Sequence, residues 1–256
     1  MHIVVLLKAV PIVGNERLDD GYRTQRSQLE ANGNDEYVLE KALKLTEAAG
    51  GEVSLLTMGP TGAADALRKA LAMGATRAYH IVDDALAGAC LRQTIDVLTA
   101  AAKKLEFDLL FCGADTSDGQ GGVVAAALAA RLGLPYLSYA SEIEPTEGGV
   151  RVHRLSSTGY DVLEASTPAL VMGTQVLGEP RYPSLRGIMQ ARSKEVTTWS
   201  LGDLGIDPAT VGAAAATTRV LGSEAPPQRS GAMVLKGAPE EVVAQTVDFL
   251  AQRRLI

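Results

Sequence analysis

Residues 113–135, GADTSDGQGGVVAAALAARLGLP, gather the groups in this chain best suited to holding an anion. They follow the apolar run 107–112, FDLLFC, which reads as a buried parallel strand. A polar turn comes next (Asp115, Thr116, Ser117, Asp118), then a glycine cluster (Gly119, Gly121, Gly122) and an alanine-rich helix expected over residues 122–132. A strand, a glycine-rich turn and a helix start bring free backbone N–H groups together at the positive end of a helix, where phosphate binds. The same residues would also suit a tight strand-to-helix turn with no ligand. Both readings stand on this segment alone.

Groups for bond-breaking chemistry are harder to find. Asp115 and Asp118 could serve as an acid/base pair or as Mg²⁺ ligands, but the simpler expectation is that they cap the turn and the following helix. The three histidines, His2, His80 and His153, lie in strand or hairpin segments without metal or triad spacing and read as structural or surface residues. The chain has no GxSxG elbow, HExxH, Walker loop or complete GxGxxG. A nucleotide site without catalytic side chains points to a bound structural or regulatory nucleotide. No catalytic and no metal-binding residue is expected.

These groups need a scaffold, and the first two-thirds of the chain supplies one. Strand-like segments at 2–7, 52–58, 77–82 and 107–112 alternate with helix-like segments at 35–49, 63–73, 90–105 and 122–132. Repeated β-α-β units imply an α/β fold with a parallel sheet covered on both faces. In such sheets the ligand lies beyond the carboxyl ends of the strands, where residues 113–122, Met58-Gly59 and the loop after Val10 would meet. The pattern then changes. Residues 138–144 and 150–155, joined through Glu147-Gly148-Gly149, read as a hairpin, and 160–165 as a further strand. Residues 169–172 resemble a core strand, 185–192 a short helix and 195–200 a strand. Beyond Gly202 small residues and turn formers dominate, poor material for a core, until an apolar-striped helix at 239–253. That tail suits an arm packed on another surface or on its own domain.

With 256 residues, a net charge of −6 and 4% aromatics, the chain can bury a large core but lacks the basic, aromatic-rich stripe of a nucleic-acid binder. Arg181, Arg186, Arg192 and Lys194 are the one local basic tract, with a solvated face as the default reading. No apolar run reaches the ~18–20 residues of a membrane span. The start, MHIVVLLKAVP, reads as a first strand rather than a signal peptide. Two cysteines, Cys90 and Cys112, without metal spacing, argue for a reducing compartment. The expectation is a cytoplasmic protein with no nucleic-acid partner and no membrane insertion.

EPRYPSLRGIMQA at 179–191, with LLKAVP at 6–11, MGP at 58–60, RKALAMGATRA at 68–78 and the stretch 113–135, resembles the β subunit of electron transfer flavoprotein. The motifs are co-linear and run on through Leu204-Gly205-Ile206 to a tail containing Pro226-Pro227; DGQGGVV is similar to the form found in high-GC Gram-positive bacteria. The resemblance implies an adenine nucleotide α-hydrolase-like domain over 1–200, with a hairpin at 136–165 and a partner recognition loop at 179–194. It implies that 201–256 form a C-terminal arm and helix packing on an α subunit. It also implies a heterodimer in which FAD lies mainly in the α subunit while the β subunit holds a structural AMP. Such an assembly passes electrons from acyl-CoA-type dehydrogenases to a membrane quinone oxidoreductase. Outer-sphere electron transfer needs cofactor proximity rather than acid/base groups, which accords with their absence. A bifurcating type with a second FAD in place of AMP, and a stand-alone adenine-nucleotide-binding regulatory protein, remain alternatives.

Carried over by position, AMP contacts would come from Leu6, from Asn32, Gly33, Asn34 and Asp35 before the first helix, and from Met58. The rest would come from Gly113, Ala114, Asp115, Thr116, Ser117, Asp118, Gly119, Gln120, Gly121, Gly122, Val123 and Val124. Where the family commonly carries side chains toward phosphate, this chain has Gly121, Gly122 and Val123. Phosphate would be bound mainly by backbone N–H groups, with Asp118 structuring the turn. Val13 stands where some members place an aromatic residue near the flavin. In the recognition loop Leu185 matches the exposed leucine that enters a pocket on partner dehydrogenases, with Arg186, Ile188 and Met189 beside it and Arg186 and Arg192 as a steering rim.

Overall fold

Short apolar runs become the strands of one sheet, and the amphipathic segments between them become its covering helices. The computed structural model describes residues 1–14, 17–224 and 233–256. Its strands are β1 (His2–Leu6), β2 (Ala9–Pro11), β3 (Leu29–Ala31), β4 (Glu52–Met58), β5 (Arg77–Ile81) and β6 (Leu109–Gly113), then β7 (Tyr136–Thr146), β8 (Gly149–Ser156), β9 (Gly159–Ser166), β10 (Ala169–Gly173) and β11 (Val196–Trp199). Its helices are α1 (Gly33–Ala49), α2 (Ala63–Met73), α3 (Leu91–Ala102), α4 (Val124–Leu132), α5 (Leu185–Ala191), α6 (Gly212–Ala215) and α7 (Pro239–Gln252).

A 9-stranded sheet runs in the order β11-β5-β4-β1-β6-β10-β7-β8-β9. The strands from β11 to β7 are parallel neighbours, and β7, β8 and β9 continue the sheet antiparallel. The α/β class and the β-hairpin extension are as the sequence predicts. From β1 the chain winds to β4 and β5 on one side, then returns to β6 on the other. In open α/β sheets ligands bind at such a reversal, which here is the crevice between the carboxyl ends of β1 and β6. Alternation along β1 serves both faces: Ile3 and Val5 join Leu39 and Leu67, while Val4 and Leu6 join Leu98 and Leu128.

Two features differ from the pattern reading. Residues 9–11 and 29–31 form a two-stranded ribbon, β2 antiparallel to β3, that no periodicity announces. The main compact unit runs from Met1 to Leu221, so residues 201–221 belong to it. Leu201 and Val211 are buried, and Gly212 approaches the Ala85 carbonyl so closely that a Cβ there would collide with it. The unit Gly222–Ile256 carries α7, which opens with Pro239, Glu240 and Glu241 and has no buried residue. Pro226 and Pro227 lie outside the described residues.

Candidate functional site

The crevice is built from the ends of β1 and β6 and the start of α1. Asn32 is the N-cap of α1, so Gly33, Asn34 and Asp35 occupy the helix's first turn rather than the segment before it. Asp35 is buried, and its carboxylate accepts the Lys8 N–H at 2.8 Å and the Gly113 N–H at 3.2 Å. One side chain thus joins β1 to β6 at the reversal point. Burial pushes its pKa up to about 7, against the hydrogen bonds from Lys8, Asn32 and Gly113 that favour the charged form. Gly113 has to be glycine here, since a Cβ would fall on the Asp35 carboxylate and the Asn34 backbone.

The loop after β6 is fastened to α1 along its length. Asn32 donates to the Asp115 carbonyl at 2.9 Å and accepts the Ser117 N–H at 3.2 Å. Asn34 donates to the Asp115 carboxylate at 2.7 Å. Asp118 does not cap the following helix, and neither does Asp115. The Asp118 side chain is 2% exposed and ion-paired to Lys8 Nζ at 2.8 Å and Arg26 Nη2 at 2.7 Å. Burial raises the Asp118 pKa, but the hydrogen bonds and charges of Lys8 and Arg26 outweigh it and hold the carboxyl below its ordinary range. Arg26 also donates to the Ala9 carbonyl at 2.8 Å, which anchors the β2–β3 ribbon. With both carboxylate oxygens taken by Lys8 and Arg26, the Asp118 side chain is not available to cap the helix.

The helix start is left open as a result. α4 begins at Val124, two residues later than its sequence suggests, because Gly122 takes a left-handed φ of 60°. Its N-cap, Val123, supplies no side-chain hydrogen bond, and the first N–H bonded from within is that of Ala127, to the Val123 carbonyl. Gln120 is also left-handed, at φ 44°, and its N–H is spent on the Thr116 carbonyl at 2.8 Å. A Cβ on Gly121 would meet nothing closer than 3.9 Å, and its φ is not positive. Neither packing nor backbone conformation within the chain requires glycine at 121. A bare backbone there is suited to close approach by something outside the chain.

The other expected positions lie around this turn. Leu6 is buried in the core beneath it, leaving only its backbone at the edge. Met58 ends β4 two strands' breadth from β6, and the Gly59 carbonyl behind it lies 3.2 Å from His80 Nε2. Burial holds His80 below its ordinary pKa, so a neutral ring donating from Nε2 suits this contact. Beside the turn a cleft of about 440 Å³ is lined by Val10, Val13, Asn34, Tyr37, Lys69 and Asp115. Among the described residues no group of three or more His, Cys, Asp or Glu is placed to hold a metal ion. Sequence reasoning missed Lys8 and Arg26; Lys8 lies inside LLKAVP, but nothing in the pattern around Arg26 marks it.

A second surface lies at the opposite edge. α2 descends from the carboxyl end of β4 to the start of β5, and α5 packs on its lower end. Gly187 passes so close to the Ala72 carbonyl that a Cβ would overlap it, and Arg68 donates to the carbonyls of Ala191 and Lys194. Arg186 and Arg192 of the basic tract are exposed as expected, but Arg181 and Lys194 are not part of a solvated face. Lys194 donates to the carbonyls of Leu71 and Ala75, and Arg181 grips Glu40 and Glu47. Burial opposes the charge on Glu40, but Arg181 overrides it and keeps the carboxyl below its ordinary range. These ties point one face outward: Tyr182 is 95% exposed, Leu185 84% and Met189 73%, with Ile188 also exposed. Leu185 is not a core contact of its helix.

Residues 21–204 match the family model described as "Electron transfer flavoprotein domain". The chain is 35% identical over 260 residues, all of both chains, to "Electron transfer flavoprotein subunit beta" of Thermoanaerobacterium thermosaccharolyticum. It is 38% identical over 239 residues, 90% of each chain, to the protein of the same name from Mycobacterium leprae. It is also 35% identical over 262 residues, all of both chains, to "Caffeyl-CoA reductase-Etf complex subunit CarD" of Acetobacterium woodii. Among the described residues no helix is long and apolar enough to cross a membrane.

Proposed function

This chain belongs to the electron transfer flavoprotein β-subunit family, and from that we propose that it is the AMP-holding partner of an FAD-carrying α subunit in a cytoplasmic electron carrier. The observation that carries the nucleotide part is the open start of α4: a helix without a side-chain cap, behind a glycine turn whose Gly121 is bare for no internal reason. The residues fit the group. N–H groups at the start of α4 and the helix dipole would hold a phosphate, and Asn32, Asn34, Asp35 and Asp118 would keep the turn in place rather than touch the ligand. AMP there serves as a structural element and exchanges no electrons. FAD, when bound beside this chain, supplies the electron-accepting chemistry, and Val13, exposed in the loop after β2, is the residue this subunit offers toward it.

Electrons would come from acyl-CoA-type dehydrogenases and go to a membrane quinone oxidoreductase. Docking on the donor would use Leu185 as an apolar anchor, with Ile188, Met189 and Arg186 around it. α5 packs on the carboxyl-terminal end of α2, which leads into the start of β5, while the nucleotide crevice lies at the carboxyl ends of β1 and β6. With a full-length CarD-named relative at 35% identity, a second FAD in place of AMP is the competing reading. The heterodimer carrying Leu185→Ala should be reduced more slowly by an acyl-CoA dehydrogenase at low concentration, with its FAD content unchanged. A reduction rate equal to the wild type's would refute the docking role.

A further inference from the structure

We infer that Lys8 is itself a phosphate ligand of the nucleotide site, held in place by Asp118 and Arg26; this rests on the nucleotide reading above. The Lys8 backbone is fixed at the end of β1, where its N–H goes to Asp35 and its carbonyl accepts the Asn32 N–H at 2.9 Å. Its side chain crosses to the glycine turn. Nζ lies 2.8 Å from Asp118 Oδ1, 3.3 Å from Thr116 Oγ1, and 3.6 Å from the point a side chain on Gly119 would occupy. An ammonium has three N–H bonds, and Asp118 and Thr116 take two of them.

The charges point the same way. Asp118 is one carboxylate facing two cations, and the Arg26 guanidinium, at 2.7 Å, would neutralise it alone. Lys8 is therefore in excess over its partner. Its side chain is 36% exposed while that of Asp118 is 2% exposed, so the surplus charge belongs to the half of the pair that can reach a ligand. The other carboxylate whose charge acts on Lys8 is Asp35, which accepts the Lys8 backbone N–H and whose pKa burial lifts to about 7, so it offsets only part of that surplus near neutral pH. In the turn that leads into the open start of α4, an excess ammonium suits the 5′-phosphate that AMP and FAD share.

The test uses the full chain in complex with its α subunit, freed of exchangeable nucleotide, and compares AMP with adenosine by calorimetry. Lys8→Met should weaken AMP about tenfold or more, the loss of one charge-assisted hydrogen bond, and leave adenosine unchanged. Lys8→Arg, which keeps the charge against Asp118, should recover part of the AMP affinity. Repeating the series with FAD and riboflavin shows whether the same contact serves a flavin dinucleotide. Equal losses for AMP and adenosine, or an unaltered preference for AMP in Lys8→Met, would overturn the role of Lys8. A wild-type complex that binds neither AMP nor FAD would remove the nucleotide reading and this inference together.

Discussion

Asp35→Asn removes the buried carboxyl that joins β1 to β6. Asp35 is 4% exposed, and burial lifts its pKa from 3.8 to about 7. The folded value lies above the unfolded one, so the stability this group allows is fully present below about pH 4 and is lost as pH rises to about 7. Each pH step in that window removes about 1.4 kcal/mol, so about 4 kcal/mol separates the two ends. Asparagine has the same shape and does not titrate. Urea unfolding of the full chain and the variant, from about pH 4 to about pH 8, isolates the term because every other group is common to both. The wild type should lose about 4 kcal/mol relative to the variant across the range. A difference that stays flat, or that grows in favour of the wild type as pH rises, would refute the reasoning. Asp35 would then be ionised throughout, with the Lys8 and Gly113 N–H groups outweighing burial.

Gly113→Ala should cost about 1–3 kcal/mol by denaturant titration, because its Cβ would fall on the Asp35 carboxylate and Asn34 backbone; wild-type stability would show that α1 can move aside. Gly187→Ala should push α5 off the Ala72 carbonyl, lowering both stability and donor docking, whereas Leu185→Ala should leave stability within about 0.5 kcal/mol of wild type. Limited alkylation of the folded chain should modify Cys90 before Cys112. Both are buried, but hydrogen bonds from Gln93 and Thr217 outweigh burial and bring the Cys90 thiol down to about 6, while burial raises Cys112. Mass spectrometry of the modified peptides reads the order, and Cys112 first would contradict it.

Sequence reasoning reached the parallel sheet because its strands are short apolar runs and its helices carry apolar residues at helical spacing. It reached the crevice because β-α-β winding fixes which strand ends meet. It failed where structure depends on distant partners. Two aspartates before a helix normally read as caps, yet Asp118 meets Lys8 and Arg26, which are 110 and 92 residues away, and no local pattern marks that pairing. The β2–β3 ribbon escaped for a similar reason: its strands are three residues each and lack any sustained alternation. Small residues after Gly202 suggested a loose tail. Gly212 instead uses its lack of a side chain to approach the Ala85 carbonyl, and Val211 beside it is buried. The outward face of α5 is not legible in residue spacing, since Leu185, Ile188 and Met189 would suit a buried stripe equally well; the exposed Leu185 is expected from the family resemblance alone.

The most direct test of the account is the identity and stoichiometry of the nucleotides released when the complex of this chain with its α subunit is denatured. One FAD and one AMP per heterodimer are expected. Two FAD and no AMP would replace structural AMP with a second flavin at the glycine turn. A single FAD with no second nucleotide, in a complex of normal stability, would contradict the claim that residues 113–124 form a nucleotide site.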